Sequence, residues 1–204
     1  MDCLIISGGA YSKIGKPAKG TFVIACDHGY EYAWMDGIVP DLVIGDFDSY
    51  QGKLPEDIPV RKLNCEKDDT DTMDAIREAL QKGCKNITIT CALGLRLDHT
   101  FANLQSAAFA TMEGATVQIV EASERIYFVK DSSISLDAAT GYSLSVFAFS
   151  KECVGVSIQG AKYPLDHYHM VNSYPIGVSN EWKEPTVKIS VEQGLLMIVL
   201  SKLG

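Results

Sequence analysis

Two aspartates one residue apart, Asp46 and Asp48 in Gly45-Asp46-Phe47-Asp48-Ser49, follow the short apolar run Leu42-Val43-Ile44. On an extended segment, side chains two apart point the same way, so these carboxylates can converge on one point. Converging carboxylates repel each other unless a cation lies between them. Oxygen-only ligation suits Mg²⁺, which keeps waters and shares its shell with phosphates. The same five residues also fit a plain turn in which Asp48 or Ser49 caps a following helix.

Two other clusters carry similar chemistry. In Lys67-Asp68-Asp69-Thr70-Asp71-Thr72, Asp71 can join Asp46 and Asp48 on one cation while Lys67 faces a phosphate. The alternative is a charged helix start, with Asp71 as N-cap and Asp74 as its partner. In Gly94-Leu95-Arg96-Leu97-Asp98-His99, glycine lets the backbone approach a ligand, and Arg96 offers a planar fork to phosphate oxygens. Here the alternative is an Arg96–Asp98 surface pair with Asp98 as helix cap. A third stretch, Asp166-His167-Tyr168-His169, places two histidines on one face of a strand, where they could bind a transition metal. No third ligand is identifiable there, and an exposed or interface strand is the simpler expectation.

The elements that must position these residues are legible. Leu4-Ile5-Ile6, Phe22 to Ala25, Leu42 to Ile44, Ile87 to Thr90 and Val117 to Val120 read as strands. Polar or glycine-rich residues follow most of them, and in open α/β sheets that carboxyl edge is where ligands bind. A helix is expected from Asp71 to Lys82, with Met73, Ile76, Ala79 and Leu80 on one face. A second is expected from His99 to Glu113, with Phe101, Leu104, Ala108 and Met112 inward. Alternation of strands and helices over 1–122 predicts a mainly parallel α/β domain. Over 123–204 short β-branched and aromatic runs punctuated by glycine predict an all-β sandwich or barrel.

Composition narrows the class. The 204 residues, 47% hydrophobic and 22% charged, are ordinary for a globular protein with a sizeable core. Eighteen basic against 26 acidic residues give −8, so the surface should attract neither nucleic acid nor anionic membrane. No apolar run reaches bilayer length, and Met1 leads straight into a strand, so a cytoplasmic protein is expected. The six cysteines, at 3, 26, 65, 84, 91 and 153, form no CxxC pair and read as free core thiols.

Taken in order, Asp27-His28-Gly29, Pro40-Asp41 through Gly45-Asp46-Phe47-Asp48-Ser49, Lys67-Asp68-Asp69-Thr70-Asp71 and Arg96-Leu97-Asp98-His99 resemble the thiamin pyrophosphokinase family. Gly177-Val178-Ser179-Asn180-Glu181 resembles that family's Ser-Asn segment. The likeness covers essentially the whole chain. It implies direct transfer of a pyrophosphoryl group from ATP to the hydroxyl of thiamin, in a homodimer whose clefts lie between the α/β domain of one subunit and the β domain of the other. By position, it implies that Asp46, Asp48 and Asp71 hold Mg²⁺. Asp27, Lys67, Thr70, Arg96 and Asp98 would line ATP and the transferred group, and Ser179 and Asn180 would face thiamin. Three positions depart from the family. His28 stands where it has glycine in Asp-Gly-Gly, Leu95 stands in its Gly-Gly pair, and Met197 lies near the place of a tryptophan seen in animal members. A haloacid-dehalogenase-like phosphatase using Asp46 as nucleophile and Asp48 as acid fits less well, because its DxD belongs on the first strand. A non-catalytic thiamin or nucleotide sensor would be expected to have lost one of Asp46, Asp48, Asp71 or Asp98, and all are present.

Overall fold

The computed structural model describes residues 1–47, 56–63 and 69–204, so Asp48, Lys67 and Cys65 lie outside the described residues. The chain divides into two compact units, Met1–Ala122 and Ser123–Gly204.

The first unit runs β1 (Asp2–Ile6), β2 (Phe22–Cys26), α1 (Gly29–Met35), β3 (Leu42–Gly45), β4 (Val60–Lys62), α2 (Asp71–Gln81), β5 (Asn86–Thr90), α3 (Leu97–Met112) and β6 (Thr116–Val120). Its strands pair in parallel in the order β6-β5-β1-β2-β3-β4. Leu4, Ile5 and Ile6 are all buried, as a central strand covered on both faces requires. Ile87, Ile89, Val117 and Ile119 are also buried, alternating with more exposed polar neighbours. Each such isoleucine contributes about 1.5–3 kcal/mol by leaving water.

Both long helices form where the apolar spacing places them, with adjusted faces. α2 buries Thr72, Ala75, Ile76 and Ala79, while Met73 and Leu80 are only half-buried. Gly83 ends it in the left-handed conformation, at φ +76°. α3 starts two residues before the expected His99, because Arg96 is extended (φ −94°, ψ 128°) and Leu97 is already helical. Of the expected stripe, its inward face keeps Ala108 and, in part, Leu104. Phe101 and Met112 are exposed, and Asn103, Ser106, Ala107, Ala108, Ala110 and Thr111 face the interior. Small side chains allow close helix approach, so packing selects them over the larger apolar set.

The second unit consists of β7 (Glu124–Lys130), β8 (Ser133–Asp137), β9 (Tyr142–Ala148), β10 (Glu152–Gln159), β11 (Leu165–Val171), β12 (Gly177–Asn180), β13 (Thr186–Ser190) and β14 (Leu195–Lys202). Within it, antiparallel pairing gives two arrays, β12-β9-β14-β7 and β11-β10-β13-β8. Leu144, Val146, Leu196 and Ile198 from one array share a core with Val156, Ile158, Val187 and Ile189 from the other. That is a β-sandwich. Five cysteines are buried free thiols.

Candidate active site

A cleft of about 370 Å³ opens at the carboxyl edge of the parallel strands. The loops after β1, β2, β3 and β5 and the start of α2 bring Asp27, Asp46, Asp71 and Arg96 to it, with His28 and His99. Four non-glycine residues at this edge adopt left-handed backbone: Asp27 (φ 49°), Phe47 (56°), Cys91 (53°) and Leu95 (56°). Such conformations cost energy and gather where a site must aim its groups.

Asp27 is the pivot of the acidic side. Burial, and then the Asp71 and Asp46 carboxylates, push its carboxyl above the ordinary range, against the opposing pull of His28 and the Phe47 N–H. His28 Nδ1 lies 3.7 Å from Asp27 Oδ2. Gly45 makes room for this side chain, since a Cβ there would stand 3.0 Å from Asp27 Oδ1. Among the described residues, the buried side-chain oxygens lacking a hydrogen-bond partner are Asp27 Oδ1 and Ser12 Oγ. A buried acceptor beside two further carboxylates fits a hard cation, whose binding would relieve both defects. No three His, Cys, Asp or Glu side chains among the described residues are arranged as a metal site by themselves; Asp48 lies outside them.

The remaining predicted residues fall into place unequally. Thr70, rather than Asp71, is the N-cap of α2, accepting the Met73 N–H at 3.2 Å. Asp71 is thereby left in the first helical turn, on the cleft wall. Arg96 and Asp98 form a two-pronged pair, Nε to Oδ1 at 3.1 Å and Nη2 to Oδ2 at 2.5 Å, which holds the Asp98 carboxyl below its usual range. Asp98 is not the helix cap; Arg96 occupies that position, and Asp98 Oδ1 accepts the His99 N–H at 3.0 Å. Arg96 lines the cleft, whereas Asp98 does not.

In the second unit, Ser179 is exposed with φ +57° and donates its N–H to Ser145 Oγ at 3.0 Å. Asn180 is only 4% exposed, and its side chain is used internally. Its Oδ1 accepts from the Tyr163 and Glu181 N–H groups at 3.0 and 2.9 Å, and its Nδ2 donates to Tyr163 O at 2.8 Å. The Asn180 side chain is thus committed to Tyr163 and Glu181, where the sequence expectation has it face thiamin. The histidines of β11 meet carboxylates: His167 Nδ1 is 2.8 Å from Asp166 Oδ1, and His169 Nε2 is 3.0 Å from Glu152 Oε2.

Sequence reasoning missed the supports beneath the cleft. Ser7 Oγ and Thr72 Oγ1 are 2.8 Å apart, and buried Asn103 Nδ2 donates to Ala92 O at 2.7 Å. Glu121, just past β6, accepts the Ala92 N–H at 2.7 Å and the Cys91 N–H at 3.2 Å. Burial raises the Glu121 carboxyl despite these bonds. Gly9 N to Cys91 O (2.7 Å) and Ala10 N to Leu93 O (2.8 Å) clip the β1 loop to the β5 loop. The loop that presents Arg96 is thus held from two sides. The signal was present: hydrophilic residues at inward positions of a helix or at a strand end need partners.

A parallel sheet with acidic residues, an arginine and a helix start at its carboxyl edge belongs to the class of phosphate-handling α/β enzymes. The model described as thiamin pyrophosphokinase, catalytic domain, matches residues 17–119, and that described as thiamin pyrophosphokinase, vitamin B1 binding domain, matches 131–196. The chain belongs to the thiamin pyrophosphokinase family. A thiamine pyrophosphokinase of Bacillus subtilis (strain 168) is 26% identical over 208 residues, covering 97% of each chain. The fold is similar to a crystal structure of thiamine pyrophosphokinase from Bacillus subtilis, with TM-score 0.90, 24% identity and 99% of each chain covered. It is also similar to the yeast thiamin pyrophosphokinase structure, with TM-score 0.75, 12% identity, and 99% of this chain and 86% of that one covered.

Proposed function

We propose that the chain transfers the pyrophosphoryl group of ATP to the hydroxyl of thiamin, releasing AMP and thiamin diphosphate. The observation that carries this reading is the meeting of Asp27, Asp46 and Asp71 around a buried, unpartnered carboxylate oxygen, in a chain of this family. Asp46, Asp48 and Asp71 are assigned to Mg²⁺, with Asp27 behind them. Mg²⁺ bound there would neutralise the charge of the phosphates, which these carboxylates otherwise repel. Arg96 and Lys67 are assigned to phosphate oxygens, and Thr70 to the nucleotide beside the start of α2. Asp98 holds the Arg96 guanidinium in one orientation. A carboxylate of the cleft takes the proton of the thiamin hydroxyl as it attacks. Such transfer needs positioning and charge neutralisation more than covalent help from the protein. Ser179 is assigned to thiamin, its N–H held by Ser145 Oγ.

The working form is proposed to be a cytoplasmic homodimer; the buried free thiols suit a reducing compartment. No helix among the described residues is long and apolar enough to cross a membrane. Phosphorus NMR of the purified protein with ATP, MgCl₂ and thiamin tests the reaction. Thiamin-dependent AMP and thiamin diphosphate, abolished by EDTA, are expected. ADP would replace the proposal with single phosphoryl transfer, free phosphate alone with hydrolysis, and saturable thiamin binding without turnover with a sensor.

A further inference from the structure

Leu95 sits on the cleft wall in left-handed backbone, φ +56°, with 79% of its surface exposed. Its neighbour Gly94 explains itself: its φ is +77°, and a Cβ there would stand 2.8 Å from Ala10 Cβ. Leucine is different. A branched aliphatic residue at this φ strains the backbone, and with so much of its surface in water the side chain recovers little through packing within the chain. Glycine would suit the local fold better. The benefit of leucine must therefore come from something outside the chain. The cleft narrows what that is. Its described lining is otherwise small, polar or charged, and Leu95 is the one large aliphatic side chain there. It is also adjacent to Arg96, the cleft's phosphate-facing cation.

We propose that Leu95 is a specificity-determining residue, whose side chain packs on the flat heteroaromatic ring of a substrate bound in the cleft. This rests on the functional reading above, under which both substrates carry such a ring: the base of ATP and the ring system of thiamin. An apolar contact is what a ring flanked by carboxylates and an arginine otherwise lacks. The strained backbone aims it, as an outlier at a ligand site does.

Two variants decide it. Leu95→Gly removes the side chain and relaxes the backbone, whereas Leu95→Met keeps apolar bulk. Dissociation constants for Mg-ATP and for thiamin are measured separately by calorimetry, alongside kcat and the melting temperature. Leu95→Gly is expected to melt no lower than the parent chain and to bind one of the two substrates about five- to tenfold more weakly, the scale of losing a buried leucine contact. Its kcat at saturation should stay within about twofold, because the contact serves binding rather than the transition state. Leu95→Met should restore most of the affinity. The substrate affected names the ring. Unchanged affinities for both substrates in Leu95→Gly would overturn the proposal. So would equal weakening of both, or a Met variant as weak as the Gly variant. If the parent chain binds its substrates but produces no AMP, the activity reading fails, while the dissociation constants still decide the role of Leu95.

Discussion

The two units use their polar residues in opposite ways. In the second, polar side chains are consumed by the fold: Asn180 satisfies three backbone groups, and Trp182 Nε1 donates to Leu136 O at 3.2 Å. In the first, the strand ends hold carboxylates that repel one another and a buried oxygen with no partner. Structure that serves only stability resolves such conflicts. Where they persist on one edge of one sheet, the edge is built for something that arrives later. The unrelieved charge in the first unit, set beside the satisfied polar groups of the second, locates the chemistry better than any single motif does.

Three measurements can break or sharpen that contrast, beginning with the largest effect. Asp46→Asn should lower turnover about 10²–10³-fold, the usual scale for a group that organises charge at the reacting centre. It should leave the melting temperature unchanged or raised, because it removes one of the charges facing Asp27. A variant that instead melts earlier and turns over normally would make the carboxylate cluster structural. Asn180→Ala should do the reverse. It strands the Tyr163 and Glu181 backbone groups, so a stability loss of about 2–3 kcal/mol is expected in denaturant titration, with kcat retained in the folded protein. Lost thiamin affinity at unchanged stability would return Asn180 to the ligand and erase the contrast.

The smallest effect concerns Asp36, which closes α1 by accepting from Lys13, from Ile14 N at 2.8 Å and from Tyr11 Oη at 3.0 Å. The hydrogen bond from Lys13 is the main reason its carboxyl is held below the ordinary range. A depressed folded value means the carboxylate stabilises above the unfolded-state pKa and loses that contribution as pH falls through the folded value. Asp36→Asn should therefore trail the parent chain by under about 1 kcal/mol at pH 7, given the exposed lysine, and the gap should close in strong acid. A gap that persists there would mean the loss is packing rather than charge.

How much of this was legible in the sequence depends on what each residue had to announce. β1, β2, β3, β5 and β6 were plain, because buried parallel strands are short continuous apolar runs. α1 was not, since seven residues show too little periodicity. Thr70 and Asp71 illustrate a limit of local reading. Both are good caps by type, and only the backbone decides which of them is extended. Phe101 and Met112 misled because hydrophobicity marks a face, whereas the close packing of α3 selects size. Asn103 and Glu121 announced a need for partners but not which ones, because those are backbone groups 11 and 29–30 residues away. The acidic residues at the strand ends could be read because charges beside apolar runs have few structural uses.

The strand order has a consequence for how the molecule comes into being. β1 leaves the ribosome before both of its partners, β2 and β5, and the second of them lies some eighty residues downstream. At about 5–20 residues per second, that partner follows seconds later. Meanwhile Cys3-Leu4-Ile5-Ile6 offers an unpaired apolar edge to any other nascent chain. β14 mirrors this in the second unit: it joins β7 to β9 and is made after both. Each unit thus keeps its centre open until late in its own synthesis, which leaves those apolar edges exposed to association while they wait.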